Sequence, residues 1–261
     1  EFHGWGFTIN DEIENLRAAQ EHLKIVNLGA TAIGTTVTAA PGYPELAVKN
    51  LAELTGIDFK NSEDLIAATS DCGAYMTLSS AIKGLAVKMT KVCNDIRLLA
   101  SGPRCGLKEI NLPQLQPGSS IMPGKVNPVA AEVANQASFL AIGLDTTVML
   151  AASAGQLELN VMEPVITFAL YTQMKVMTNA CDTLRTKLVE GVTANTERCK
   201  DYVMNSIGIV TLLKPHFGYQ KCAAIAKEGY TTGKSLHQIV VDEQHLMTQA
   251  EWDATFNTQN L

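Results

Sequence analysis

The chain has 261 residues, 46% of them hydrophobic and 6% aromatic, with a formal net charge of -6. That length allows one large domain or two modest ones, with enough apolar content for a real core. The acidic balance gives no general electrostatic footprint for nucleic acid or an anionic membrane, so an acidic ligand must meet local positive charge.

Ile9, Ile13, Leu16, Leu23 and Val26 fall at three- and four-residue spacings with charged residues between them. This pattern predicts a helix over residues 1–26. The stretch Leu28-Gly29-Ala30-Thr31-Ala32-Ile33-Gly34-Thr35 is glycine-rich, but it lacks the lysine that a P-loop places on phosphates. Close backbone packing, or a loop lining a pocket, is the expectation there. Pro41-Gly42-Tyr43-Pro44 marks a turn, and a short helix follows over 45–55, ending at Gly56. A long helix is predicted over 74–99 and stops at Ser101-Gly102-Pro103. It would span ~39 Å at 1.5 Å per residue. The connection over 102–127 is long for a compact domain, and long ordered loops are commonly functional.

A second long helix is predicted over 128–153, with Asn127 as its N-cap and Pro128 at its first position. It is apolar nearly all round, which places it at the centre of a bundle. Asp145 interrupts its apolar run, and Glu132, Asn135 and Gln136 lie upstream, which argues against a membrane span. A third long helix is predicted over 164–188, opened by Glu163-Pro164 and closed before Gly191. Beyond Gly191 the segments shorten, to 196–203, 207–213, 219–228, 235–241 and 249–256. The last carries Glu251 and Asp253 and no Lys or Arg, which does not suit a DNA-recognition helix. No strand alternation and no fixed repeat stand out. The fold class expected is all-α, with a long-helix bundle over residues 1–190 and a small C-terminal helical domain over 191–261. Six scattered cysteines with no C-x-x-C spacing read as free thiols and not as a zinc site or disulfide framework. With no signal-peptide pattern at the start, they point to the cytoplasm.

The segment Gly118-Ser119-Ser120-Ile121-Met122-Pro123-Gly124-Lys125-Val126-Asn127-Pro128 holds two hydroxyls, one ammonium and one carboxamide. These groups suit a small substrate bearing carboxylates. A proton lost beside a carboxylate leaves a doubly negative aci-carboxylate, and stabilising developing charge is usually the largest catalytic contribution. Ser120 can donate to it. Lys125, Asn127 and the positive end of the next helix can hold the rest of an anion. Ser119 remains to take the proton, provided that positive charge or backbone donors stabilise its alkoxide. The same residues also fit an ordinary solvated connection in which Asn127 only caps a helix.

The spacing Gly118-Ser119-Ser120-x-Met122-Pro123-x-Lys125-x-Asn127-Pro128-x-x-x-Glu132 resembles the signature of the aspartase/fumarase superfamily. Leu28–Thr35, Ser101-Gly-Pro-Arg104 and Glu109-Ile-Asn-Leu-Pro113 are similar to family segments in the same order. Ala154-Gly-Gln-Leu-Glu-Leu-Asn-Val-Met-Glu-Pro164 and Asn205-Ser-Ile-Gly-Ile-Val-Thr211 are similar to the branch that removes ammonia from aspartate. The resemblance implies reversible conversion of L-aspartate to fumarate and ammonia, with Ser119 as base and Ser120 on the carboxylate that becomes aci. It implies Lys125 and Asn127 on the other carboxylate. Glu132 is a supporting residue that partners a histidine in relatives. It implies no organic cofactor, and no metal-ligand cluster is visible.

The family partnership is a homotetramer whose sites draw on three subunits. Class II fumarase, acting on malate and fumarate, and a non-catalytic oligomeric scaffold are the alternatives. Members also carry an N-terminal domain and the first part of the bundle ahead of the point where this chain begins. His3, His22, His216, His237 and His245 do not match the histidine found there. The bundle is therefore expected to be incomplete, the chain a C-terminal portion, and its activity dependent on the N-terminal part, for instance as a separate chain.

Overall fold

The computed structural model describes residues 1–257. The chain divides into two compact units. One comprises Glu1–Ser101 and Leu112–Val192; the other comprises Gly102–Asn111 and the chain from Thr193 onward. Residues 258–261 of the expected C-terminal domain lie outside the described residues.

Long helices dominate the first unit, as the 3.6-residue periodicity predicts. They are α1 (Phe2–His22), α4 (Gly73–Leu99), α5 (Val129–Ala152) and α6 (Glu163–Lys187), with the shorter α2 (Tyr43–Thr55) and α3 (Leu65–Ser70) between α1 and α4. α5 packs against both α4 and α6, and α1 lies on α4. The contact face of α5 is built from small residues, including Ala130, Ala131, Ala134, Ser138 and Ala141, which let neighbouring helices approach closely. α4 contributes Ile82, Met89, Val92 and Ile96, and α6 contributes Ile166, Leu170 and Met177.

Asp145 is buried within this core. Its carboxylate takes Lys83 Nζ at 2.5 Å and Ser79 Oγ at 2.8 Å, and Gln173 Nε2 donates to the Ala141 carbonyl at 2.9 Å. The charge that breaks the apolar run is therefore paired inside the bundle, as a buried carboxylate must be. No helix among the described residues is long and apolar enough to cross a membrane.

Three details of the first unit depart from the sequence expectations. The first helix ends at His22, and Ile25–Val26 instead forms β1, which pairs in parallel with β2 (Lys60–Asn61). α3 was not anticipated: it is one short run, too brief for periodicity, and is started by Asp64, whose Oδ1 accepts from Ile66 and Ala67 N–H at 2.9 Å. The predicted N-cap Asn127 does not cap α5. Pro128 occupies the cap position and offers no side-chain acceptor. The glycine-rich stretch packs closely, as expected: a Cβ at Gly34 (φ 82°) would lie 2.3 Å from Ile66 Cα, on the backbone of α3.

In the second unit, β3 (Ile110–Asn111) pairs antiparallel with β4 (Thr193–Ala194), which brings Gly102–Asn111 into this unit. α7 (Thr196–Met204), a 3₁₀ segment (Ile207–Leu213), α8 (Lys214–Thr232), a π-helical turn (Gln238–Glu243) and α9 (Gln249–Thr255) follow. Against the expected 219–228, α8 is longer and kinks at Gly218. Thr248 and Glu251 form a reciprocal capping box at α9, and Trp252 and Phe256 anchor it to a core with Leu213, Ile225 and Ile239.

Candidate functional site

The polar loop sits at the N-terminal end of α5 in the first unit. Pro113, Pro117 and Pro123, with Gly118 and Gly124, keep residues 112–128 out of regular structure. Within it, Ser119 Oγ accepts hydrogen bonds from the backbone N–H groups of Ile121 at 3.2 Å and Met122 at 3.1 Å. Two N–H donors on one hydroxyl oxygen favour the oxyanion over the neutral hydroxyl. The Lys125 N–H donates to the Met122 carbonyl at 3.3 Å and turns the chain back.

The loop is drawn together at its base. Asn127 Nδ2 donates to the Gly118 carbonyl oxygen at 2.6 Å. A Cβ on Gly118 would lie 1.8 Å from the Lys125 carbonyl oxygen, so only glycine fits there. Ser119 is half-buried, Ser120 and Lys125 are exposed, and Asn127 and Glu132 are half-buried. Four of the five candidate residues thus share one closed loop. Glu132 stands in the first turn of α5, where a carboxylate favours the positive helix end. With no side-chain cap at Pro128, that first turn also presents N–H groups that an anion can meet. The part that sequence reasoning missed is the base of the loop: Gly118 reads as punctuation, and its contact with Lys125 is visible only in three dimensions.

A separate cavity of about 430 Å³ in the first unit is lined by His22, Asn27, Ser62, Asp71, Tyr75 and Glu163, among others, and contains none of the loop residues. Burial first, then the Glu163 and Cys72 charges, push the Tyr75 hydroxyl up from its ordinary pKa. Burial, with Glu163 and Asp71, likewise pushes the Cys72 thiol up. Both groups are therefore neutral donors at pH 7. No motif marks this cavity, because its walls come from segments far apart in sequence. Among the described residues, no three His, Cys, Asp or Glu side chains stand together as a metal-ion site.

Residues 1–143 match a family described as "Lyase", and residues 209–261 match one described as "Fumarase C C-terminus". The chain is 54% identical over its full length to the aspartate ammonia-lyase of Escherichia coli (strain K12), covering 54% of that protein. It is 49% identical over its full length to the aspartate ammonia-lyase of Helicobacter pylori (strain ATCC 700392 / 26695), covering 56% of it. Among solved structures, the fumarate lyase:delta crystallin from Brucella melitensis bound to cobalt superposes with a TM-score of 0.93 at 40% identity, over 98% of this chain and 55% of that one. A class II fumarase from Schistosoma mansoni superposes at 0.88 with 29% identity, over 97% and 56%. The chain spans about half the length of the curated relatives it matches. An all-α long-helix unit, the serine–lysine–asparagine loop at the head of α5 and the family match over more than half of the residues agree: the chain belongs to the aspartase/fumarase superfamily of lyases.

Proposed function

We propose that this chain carries one wall of an active site that eliminates ammonia from L-aspartate to give fumarate. The observation that carries the reading is the pair of backbone N–H groups aimed at Ser119 Oγ, which meets the chief objection to serine as a base. In this reading the Ser119 alkoxide takes a proton from Cβ of the substrate. The electron pair left behind spreads into the adjacent carboxylate, held by Ser120, and then forms the carbon–carbon double bond as the Cα–N bond breaks and ammonia leaves. Lys125 and the second N–H of Asn127 hold the other carboxylate, with Glu132 supporting at the head of α5. The reaction calls on no organic cofactor. The relatives' names and the identity across the whole chain favour aspartate over malate.

The exposed apolar residues of α5 and α6 support an oligomer, which we take to be a tetramer of the family kind. The free cysteines fit a reducing cytoplasm, and we place the protein there. The test is absorbance in the fumarate band with L-aspartate and with L-malate, using protein that carries the full length of the relatives. Signal with aspartate alone supports the proposal. Signal with malate alone makes the protein a fumarase, the reading that the structural match to a class II fumarase favours. Ser119→Ala is expected to lower kcat by at least about 1,000-fold with assembly intact; retained turnover removes Ser119 as the base.

A further inference from the structure

We propose that Gly118 and Asn127 form a positioning joint for Ser119, which links the occupation of Asn127 by a substrate carboxylate to the placement of the base. The inference rests on the reading of Ser119 as that base. Gly118 immediately precedes Ser119, and its carbonyl oxygen accepts the Asn127 amide at 2.6 Å. On its other side the backbone runs against Lys125: a Cβ at position 118 would stand 1.8 Å from that carbonyl oxygen and 2.4 Å from its carbon. The chain entering the loop is therefore pinned to the chain leaving it by one hydrogen bond and one glycine-only contact. Asn127 adjoins Pro128, the cap position of the 24-residue helix α5, so the joint is referenced to a rigid element.

A carboxamide nitrogen carries two N–H donors. One of Asn127's is spent on Gly118, which leaves the other for an anion. A carboxylate drawn to that second donor pulls on the same side chain that holds the Gly118 carbonyl. Ser119, one residue further on, is then set relative to the substrate it deprotonates. Gly118 has no side chain and cannot contact substrate through one, so its contribution is positional.

The experiment compares Gly118→Ala and Asn127→Asp with the parent at the full length of the relatives. It measures kcat, KM, inhibition by succinate as a dicarboxylate that cannot eliminate, and the acid limb of the kcat–pH profile. For Gly118→Ala the expected result is a kcat lowered about 100-fold, the scale of a misplacement near 1 Å. KM and succinate binding stay within about threefold, a small effect on ground-state binding. The acid limb moves to higher pH, because a displaced Ser119 loses N–H donation to its alkoxide and its pKa rises. Asn127→Asp shows the same acid-limb shift and also a raised KM, since the new carboxylate repels the substrate's. Any other pattern in Gly118→Ala, whether unchanged kcat, an unchanged acid limb or a loss confined to KM and succinate binding, overturns the joint. Should the Gly118→Ala chain fail to assemble, Asn127→Asp decides: a shifted acid limb supports the joint and a raised KM alone overturns it. Turnover retained in Ser119→Ala is a different result, and it removes the base assignment and not only the joint.

Discussion

Glu12 is a carboxylate buried between α1 and α4, and its surroundings keep it charged. Burial alone pushes such a group up; hydrogen bonds from Lys88 and Asn15, with the Lys88 charge, outweigh that and hold it below its ordinary value. Gly84 leaves the room: a Cβ there would stand 2.8 Å from Glu12 Oε2. The two halves of the ion pair are unequal. Lys88 is one-third exposed and still reaches water when its partner is lost, whereas Glu12 does not. Lys88→Met is therefore expected to cost about 3 kcal/mol, and Glu12→Gln about 1 kcal/mol, both read from urea midpoints at pH 7. A lowered folded-state pKa contributes stability that is present above 4.5 and lost as the pH falls through the folded value. The gap between the parent and Glu12→Gln should shrink as the pH is taken from 4.5 downward. A gap constant with pH would show that Glu12 contributes packing and not charge. Ser119 follows the same logic at smaller scale, since donors around an oxygen decide which of its protonation states is favoured.

At the scale of elements, the glycine-rich stretch after β1 is defined by what it touches. Gly34 lies against the first residues of α3, with its φ in the left-handed region and no space for a Cβ. Gly34→Ala must displace the backbone of Leu65 and Ile66, so it is expected to cost about 3 kcal/mol, at the upper end for overpacking. Urea unfolding measures this, and a change below about 1 kcal/mol would mean that the stretch yields freely. Between α4, α5 and α6, the Asp145 cluster spends the polar groups of three helices on one another. A one-turn slip of α4 against α5 would leave a buried carboxylate without its lysine, a cost that apolar contacts alone would not impose.

At the scale of the molecule, Val133, Phe139, Leu140 and Leu150 on α5, with Phe168 and Tyr171 on α6, are large apolar side chains left exposed on two long helices. Large apolar side chains left exposed on two neighbouring helices are the kind of surface that marks an interface. The chain is expected to sediment as a multiple of its 28.1 kDa mass, with a melting temperature that rises with protein concentration. Phe168→Glu is expected to shift it towards monomer and to lower that temperature. A 28.1 kDa species with a concentration-independent melting temperature would refute an oligomer built on this face.

The long helices and the signature loop were legible because their causes are local. Apolar spacing in α4, α5 and α6 reports which face is buried, and Pro and Gly around Ser119 and Lys125 report a break in regular structure. Ser119, Ser120, Lys125 and Asn127 stand out by their chemistry within one short loop, and Glu132 by the spacing of the family signature, and residues so close in sequence stay near one another in any fold. Contacts between distant segments had no such signal. Nothing near Ile110–Asn111 foretells its pairing with Thr193–Ala194, and α3 is too short for a period to emerge. Asn127 shows the difference in one residue: its position before Pro128 predicted a cap, while the folded chain leaves α5 without a side-chain cap and brings the Asn127 amide N–H to the Gly118 carbonyl. By itself the sequence determined which long stretches are helical and which polar residue types gather in the loop before α5, because periodicity and spacing are properties of neighbours. Tertiary structure alone decided what each polar group is bonded to, because a hydrogen bond goes to whichever acceptor the folded chain brings within about 3 Å.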